Sequence, residues 1–439
     1  MTVTLRVWLK ASKIYLDRRL LIVMAFGFSA GMPLLLVYGT LSAWLTESGV
    51  SFTLIGLFSW ASTAYALKFL WAPLVDRLPL PVLGRLLGQR RSWLLLAQTV
   101  CVSAMLAIGS STPADGLMLT AIWAVVLACA SATQDIVIDA YRIETLEEEE
   151  QGAGAATYQL GYRIALIAAG AGALIIADLV GWFWAYAVMA SLMGVGIVTT
   201  LTSPEPPSQR RSPEEGGPSL ARYGRWIGQA IVMPFKDFMT RPGWILILFF
   251  IMLYKYGDGL LGVMANPFYL DIGFTKTEIG LVSKTYGVAM TIIGGLMGGL
   301  LVVRAGIMRS LFLAGIIMAL SNLLFSALAL IGPSVPALML VISVENLANG
   351  IGGTAFIAYL SSLCSLAYTA TQYALVSSFM NFARTIFASG GGWLADQVDW
   401  VTYFILSTIA AVPGLLLLVY IMKTYPNQTH AARNPANLK

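Results

Sequence analysis

Charge is what this sequence has least of. Only 11% of its 439 residues are Asp, Glu, Lys or Arg and 58% are hydrophobic, where a soluble domain carries about 25% charged residues. That balance excludes a soluble globular chain and points to a polytopic membrane protein. Histidine is nearly absent. The single one, His430, lies in the C-terminal tail, so a proton relay within the membrane must use carboxylates. The three cysteines, Cys101, Cys129 and Cys364, fall inside apolar segments with no metal spacing and no disulfide framework; they read as packing. No Walker A or dinucleotide fingerprint occurs, so neither ATP drive by this chain nor a cofactor or metal is expected. The net charge of +5 would suit nucleic acid, but the basic residues lie at the ends of apolar segments instead of forming a binding face.

What is abundant is apolar length. Segments of about 20 apolar residues read as membrane helices, and twelve are expected: 20–45, 52–75, 91–110, 116–140, 153–177, 181–202, 243–269, 277–302, 309–331, 335–364, 373–395 and 400–423. The first run is too long for a signal-peptide core and lacks a clear cleavage site, so it reads as an uncleaved first helix. With both termini cytoplasmic, twenty-one of the 27 Lys and Arg fall on the inner side, one (Lys276) outside and five within spans. That bias orients the chain. Residues 203–241 open with "SPEPPSQRRSPEEGGPS", a composition that makes a flexible linker. The expected units are a six-helix bundle over 1–202, the linker, a second bundle over 242–425 and a cytoplasmic tail, 426–439.

The halves repeat. "SGVSFTLIGLFS" (48–59) aligns with "IGFTKTEIGLVS" (272–283) at an offset of 224, pairing Gly49 with Gly273, and Arg163 of the fifth span has a counterpart in Arg384 of the eleventh. Two similar bundles around a central linker predict an all-α transporter whose substrate sits between the halves near the midplane. Gly294/Gly298 and Gly295/Gly299 keep GxxxG spacing, which lets helices approach closely.

A charge at the bilayer centre costs about 2.5–3.5 kcal/mol on insertion scales, so each one needs a reason. Arg163, Lys255, Asp258, Glu345 and Arg384 lie near the middle of their spans, with Lys68 and Asp135 nearer the cytoplasm and Lys284 nearer the outside. Lys255 and Asp258, three apart, share a helix face; they are either an assembly ion pair or part of a site. Arg163 and Arg384 either tie helices together or hold substrate carboxylates from opposite sides, which the bidentate guanidinium suits. Lys68 either snorkels or joins them. Gln134, Gln159, Tyr162, Gln372 and Asn381 supply hydrogen-bonding groups beside these bases. Tyr158, Tyr162 and Tyr254 could stack on sugar faces, though core filling explains them as well. Asp135, Asp258 and Glu345 are the proton-carrying candidates, because a desolvated carboxylate titrates near neutral pH.

In "SATQDIVIDAYR" (131–142), Asp135 and Asp139 share a helical face at different depths, and Asp139 stands near Arg142. Asp139 and Arg142 therefore read as gating partners. In "DRLPLPVLGRLLGQRRSW" (76–93), Asp76 and Arg77 precede the doublet Arg90–Arg91, which resembles the acid–base loop signature of the major facilitator superfamily, a latch between helix ends. The equivalent loop in the second half keeps Arg304, Gly306 and Arg309 but lacks the aspartate, so a latch there needs another acid. The "EEEE" run at 147–150 is either a solvated turn or that acid.

Several stretches together resemble one branch of that superfamily, the AmpG-type muropeptide permeases: "GMPLLL" (31–36), "KFLWAPLVD" (68–76), "QRRSW" (89–93), "ATQDIVIDAYRIE" (132–144), "GYRIALIAAGAGAL" (161–174) and "TATQYALVSS" (369–378). The resemblance spans both halves. It implies a major facilitator fold and proton-driven import of 1,6-anhydro-muropeptides from periplasm to cytoplasm across the bacterial inner membrane; protons and lipid are the other expected partners, and a monomer is the expected working unit. The chain stops after twelve spans, whereas some members carry more. An acidic glycopeptide fits the residues read independently: bases for its carboxylates, amides and aromatics for its sugar and peptide. Rival readings keep the fold and change the cargo to an acyl-CoA, a sugar or a siderophore, or replace transport by a membrane-embedded glycan enzyme or a sensor. The absence of a span histidine, a metal-ligand cluster or a sizeable extramembrane domain speaks against the enzyme.

Overall fold

The structure, a computed structural model, describes residues 13–50, 54, 58, 63–207 and 232–425. Most of the expected linker, the tail and part of the second span lie outside these residues. The first six spans are α1 Arg18–Glu47, α2 (the run 63–77), α3 Gln89–Gly109, α4 Pro113–Thr145, α5 Gln151–Val180 and α6 Trp182–Thr202. The last six are α7 (Trp244–Leu253 continued by Tyr256–Asp271), α8 (276–305), α9 Ile307–Ile331, α10 Val335–Ser362, α11 Thr369–Gln397 and α12 Trp400–Thr424. Among the described residues ten helices are long and apolar enough to cross a membrane. The exceptions are α2, broken into Thr63–Leu67, Lys68–Leu70 and Ala72–Arg77, and α11, which is 29 residues long but carries Thr, Gln, Ser and Asn along its length. All cross as helices because a backbone in lipid must satisfy its own hydrogen bonds.

The repeat seen in sequence recurs in local geometry. Gly49 and Gly273 both take a left-handed conformation, φ 75° and 102°, which glycine adopts without a Cβ penalty. Their amides close the same turns, to Thr46 O and Leu270 O. Trp182 Nε1 donates to Glu47 at 2.7 Å in the first half, and Trp400 Nε1 donates to Asp271 at 2.6 Å in the second. Tyr186 OH donates to Leu36 O and Tyr403 OH to Leu260 O, both at 2.9 Å. Each half thus clamps its last helix to its first at the end remote from the arginines. Outside the spans, Asp17 caps α1 and its carboxyl is held below the usual range by the Arg19 side chain. Asp399 caps α12 and is lowered chiefly by the Thr402 hydroxyl.

Small residues set the tightest contacts. Gly27 and Gly31 of α1 lie against the backbone of Tyr158 and Tyr162, and Gly161 of α5 lies against Met24 O and Phe28 N. In the second half Gly294 and Gly298 of α8 meet Leu347 and Ile351 of α10, and Gly350 meets Thr291 O. With lipid on the far side, close van der Waals approach is what associates such helices. A methyl added at Gly161 overlaps α1 backbone, so Gly161→Ala is expected to destabilise the protein by about 1–3 kcal/mol, the range for overpacking. A lowered melting temperature of the detergent-solubilised protein checks this, with Gly194→Ala, which has open space around it, as the control.

The halves meet along α5–α8, α4–α11, α2–α11 and α5–α10. At α5–α8 the contact is nearly backbone on backbone: Gly299 lies against Gly152 O and Ala153 Cα, and Gly152 against Val302.

Candidate functional site

Three groups of polar residues are built into these helices. The first joins the two halves at the end where the arginines gather, called here the basic end. Asp76, at the end of α2, accepts from Arg90 Nη2 at 2.9 Å and, across to the other half, from the amides of Ala370 (3.2 Å) and Thr371 (2.7 Å) and the Thr371 hydroxyl (2.6 Å). The Thr369–Gln397 helix begins there, so one carboxylate takes two of its orphan N–H groups and meets the positive end of its dipole. Arg90, buried, also pairs with Glu144 at 2.5 Å. Arg77 lies over the Tyr368 ring at 5.2 Å, and Arg142 over Tyr373 at 5.5 Å, attractive cation–π geometry. Tyr15 OH reaches Leu296 O at 2.6 Å. The hydrogen bonds and ring contacts described between the halves gather at this end.

The second group belongs to the first half. Asp139 sits between Lys68 Nζ at 3.8 Å and Arg142 Nη2 at 3.6 Å. Arg142 is fully buried and also donates to Gln151 at 3.1 Å. Lys68, 8% exposed, does not snorkel to water; it turns inward to the carboxylates. Asp135 lies one turn deeper. Its Oδ1, the Ser131 hydroxyl and the Tyr65 hydroxyl are each buried without a hydrogen-bond partner among the described residues. Tyr158 and Tyr162 of α5 pack ring to ring at 6.0 Å beside them. Arg163 and Gln159 are half-buried, and Arg163 has no carboxylate partner among the described residues.

The third group belongs to the second half. The α7 helix breaks at Lys255, whose φ of −106° and ψ of 17° leave it between Trp244–Leu253 and Tyr256–Asp271. Broken helices at membrane depth are where transporters place their sites. Lys255 Nζ lies 3.7 Å from Asp258, in the first turn of the second segment, and 3.4 Å from Asn349 Oδ1. Asn349 donates to Glu345 at 2.6 Å and Asn346 to the same carboxylate at 2.7 Å. Lys255, Asp258, Asn349 and Glu345 thus form one chain of contacts from α7 to α10. Elsewhere, α5 and α8 each carry a π-helical stretch, Ala168–Gly172 and Gly280–Tyr286, a feature common at functional sites.

Two expected ligands are elsewhere. Gln134 is fully buried and accepts from Ser29 of α1 at 3.0 Å, so it faces the bundle interior and not a cavity. Successive helical side chains point about 100° apart, and its neighbour Asp135 takes the other direction. Gln372 is also fully buried; it donates to Pro234 O at 3.0 Å and Asp237 at 2.7 Å and accepts from Ser365 N. It anchors the end of the linker to α11. Asn381 and Arg384 lie on α11, but their side chains are outside the described residues, as is that of Lys284. Tyr65, Ser131, Glu144, Thr371, Tyr368 and Tyr373 escaped the sequence reading. Only Ser131, one turn before Asp135, carried a usable signal.

The Major Facilitator Superfamily model matches residues 19–257 and 251–438. The chain belongs to the major facilitator superfamily. Its fold is accordingly the major facilitator fold, twelve transmembrane helices in two six-helix bundles, and it is a membrane transporter by family. The chain is 38% identical over 414 residues to the anhydromuropeptide permease of Escherichia coli K12, covering 94% of this chain and 81% of that one. It is 36% identical over 414 residues to the putative transporter AmpG 4 of Rickettsia felis, covering 94% and 98%. A solved structure of the proton:xylose symporter XylE bound to 6-bromo-6-deoxy-D-glucose superposes with a TM-score of 0.65 at 13% identity, over 94% of this chain and 98% of that one; at that identity it speaks for the fold alone.

Proposed function

We propose that this major facilitator protein imports anhydro-muropeptides across the bacterial inner membrane, with protons moving inward alongside. The observation that carries the reading is the 38% identity to the anhydromuropeptide permease over 94% of the chain. The positive-inside count places both termini in the cytoplasm, so the basic end is the cytoplasmic one. A protein sealed there is ready to accept cargo from the periplasm. The bundles 1–202 and 242–425, joined by linker 203–241 and followed by tail 426–439, rock about the central site as a monomer.

The half-buried Arg163 holds a substrate carboxylate, with Arg384 opposite it on the repeat. Gln159, Tyr162 and Asn381 line the sugar or peptide. Lys68 and Lys255 are each shared between a protein carboxylate and the substrate. Asp135 carries the proton, with Asp258 and Glu345 as the counterpart network in the second bundle. Asp76, Arg77, Asp139 and Arg142 form the cytoplasmic gate. The chain moves its cargo unchanged and has no catalytic residue.

Uptake of labelled anhydro-muropeptide into right-side-out vesicles tests this. Accumulation is expected with an inward proton gradient and is expected to cease when the gradient is collapsed. Uptake that survives collapse defeats the coupling. Competition by an acyl-CoA, a sugar or a siderophore, but not by unlabelled muropeptide, defeats the cargo assignment.

A further inference from the structure

We propose that Tyr65, Ser131 and Asp135 together hold one water molecule through which Asp135 exchanges its proton, with Tyr65 and Ser131 as positioning residues. The proposal rests on the assignment of Asp135 as proton carrier. Ser131 is fully buried and stands four residues before Asp135 on α4, so the two side chains are neighbours on one face. Helical hydroxyls in lipid commonly bond the carbonyl one turn back. Thr133 does so, to Cys129 O at 2.8 Å. Ser131 does not, and its hydroxyl instead faces Tyr65 of α2, which in turn faces Asp135. Three buried oxygens therefore lie in one region with no hydrogen-bond partner outside the trio among the described residues.

Buried polar atoms in native proteins are satisfied by protein or by ordered water. The donor and acceptor inventory decides which ligand fits. An ionised carboxylate only accepts, while each hydroxyl gives one proton and accepts others. A water, with two donors and two acceptors, can satisfy all three at once, and two to four polar partners are what a buried water needs. A monovalent cation would also suit oxygen ligands, but Lys68 already lies within electrostatic reach of the same carboxylate, and a second positive charge would be repelled. The other titratable groups facing Asp135, among the described residues, are Asp139 on α4, Cys101 on α3, and Tyr158 and Tyr162 on α5. A proton arriving at the water passes to Oδ1 of Asp135, and the water is regenerated. No other bond changes.

The test is the pH profile of uptake in vesicles bearing the full chain as wild type, Tyr65→Phe, Ser131→Ala, Ser131→Thr or Asp135→Asn. A water donating to the ionised carboxylate favours that form. Losing a hydroxyl that orients it is expected to move the uptake midpoint to higher pH by about half a unit, roughly a threefold change in proton affinity. Ser131→Thr is expected to keep the wild-type midpoint, and substrate binding at low pH to stay unchanged in Tyr65→Phe and Ser131→Ala. Asp135→Asn is expected to abolish the pH dependence. Unshifted midpoints in both hydroxyl variants, with pH dependence lost in Asp135→Asn, overturn the water site and leave Asp135 as carrier. A wild-type profile in Asp135→Asn overturns the carrier assignment and the water with it. Uptake that requires sodium and ignores pH also overturns the proposal. Should a hydroxyl variant transport too weakly, the carboxyl stretch of protonated Asp135 in difference infrared spectra reads the same contact: a shift in Ser131→Ala supports the water, and its absence overturns it.

Discussion

Asp76→Asn is expected to cut muropeptide uptake tenfold or more while unsealing the basic end. Asp76 accepts three hydrogen bonds from the start of α11, two from main-chain amides and one from the Thr371 hydroxyl, besides its pair with Arg90. Hydrogen bonds to a charged group contribute about 1.5–3 kcal/mol each, and about 1.4 kcal/mol is a factor of ten in a population. Losing the charge while keeping the shape should therefore move the balance between sealed and unsealed states by at least one decade. The readout is a cysteine at Ala374, a residue 1% exposed on α11 and part of the buried cluster that includes Ile138, Tyr141 and Tyr158, introduced after the native cysteines are replaced. In the wild-type background it should resist a water-soluble maleimide. In Asp76→Asn it should react. Uptake loss with unchanged reactivity would show that Asp76 acts some other way.

Arg90 bears on the choice of substitution. It is buried between Asp76 and Glu144, so removing either acid strands part of a buried charge, which is strongly destabilising. Asparagine keeps an acceptor in place and is the milder change. The second half has no aspartate to match, and the structure places small residues there in its stead. Gly299, Gly152 and Val302 bring α5 and α8 into contact. Beside them Glu148 and Glu149 share a cleft of about 590 Å³ with Arg304 and Arg309. One side of the contact between the halves is thus held by charge and helix capping, the other largely by close approach.

The spans were legible in the sequence because lipid imposes one requirement along about 20 residues, and the charges stood out because each is costly there. What hydropathy cannot fix is the rotation of a helix about its axis. A membrane helix is apolar towards both lipid and its own bundle, so no hydrophobic stripe marks its inner face. Gln134 shows the consequence: adjacent in sequence to Asp135, it faces Ser29 and the bundle core. Gln372 was misplaced for another reason. Its partners Pro234 and Asp237 lie well over a hundred positions away, at the end of a linker whose composition reads as flexible. Asp76 stood out in the sequence through its loop motif, but Thr371, its partner across the halves, did not. Lys68 was visible as a charge, and only the structure shows it turned towards Asp139.

Arg163→Ala is expected to raise the apparent KM for muropeptide by about ten- to a hundredfold with unaltered expression. Arg163 sits on α5 directly after Tyr162, whose backbone is fixed against Gly31 of α1, so its position is set by one of the tightest helix contacts in the molecule. It is half-buried and, unlike Arg142, Arg90 and Lys68, has no carboxylate partner among the described residues. A desolvated guanidinium without a counter-ion is costly, and a substrate carboxylate relieves that cost by a bidentate pair. A charged hydrogen bond of about 1.5–3 kcal/mol corresponds to roughly one to two decades in affinity. Arg163→Lys, which keeps the charge but loses the planar fork, should fall between the two. The decisive measurement is a double-mutant cycle in which the substrate is the second partner. Amidating the peptide carboxylate should weaken binding to the wild type and leave binding to Arg163→Ala nearly unchanged. If amidation costs the same in both proteins, Arg163 holds α5 to its neighbours instead of holding the cargo.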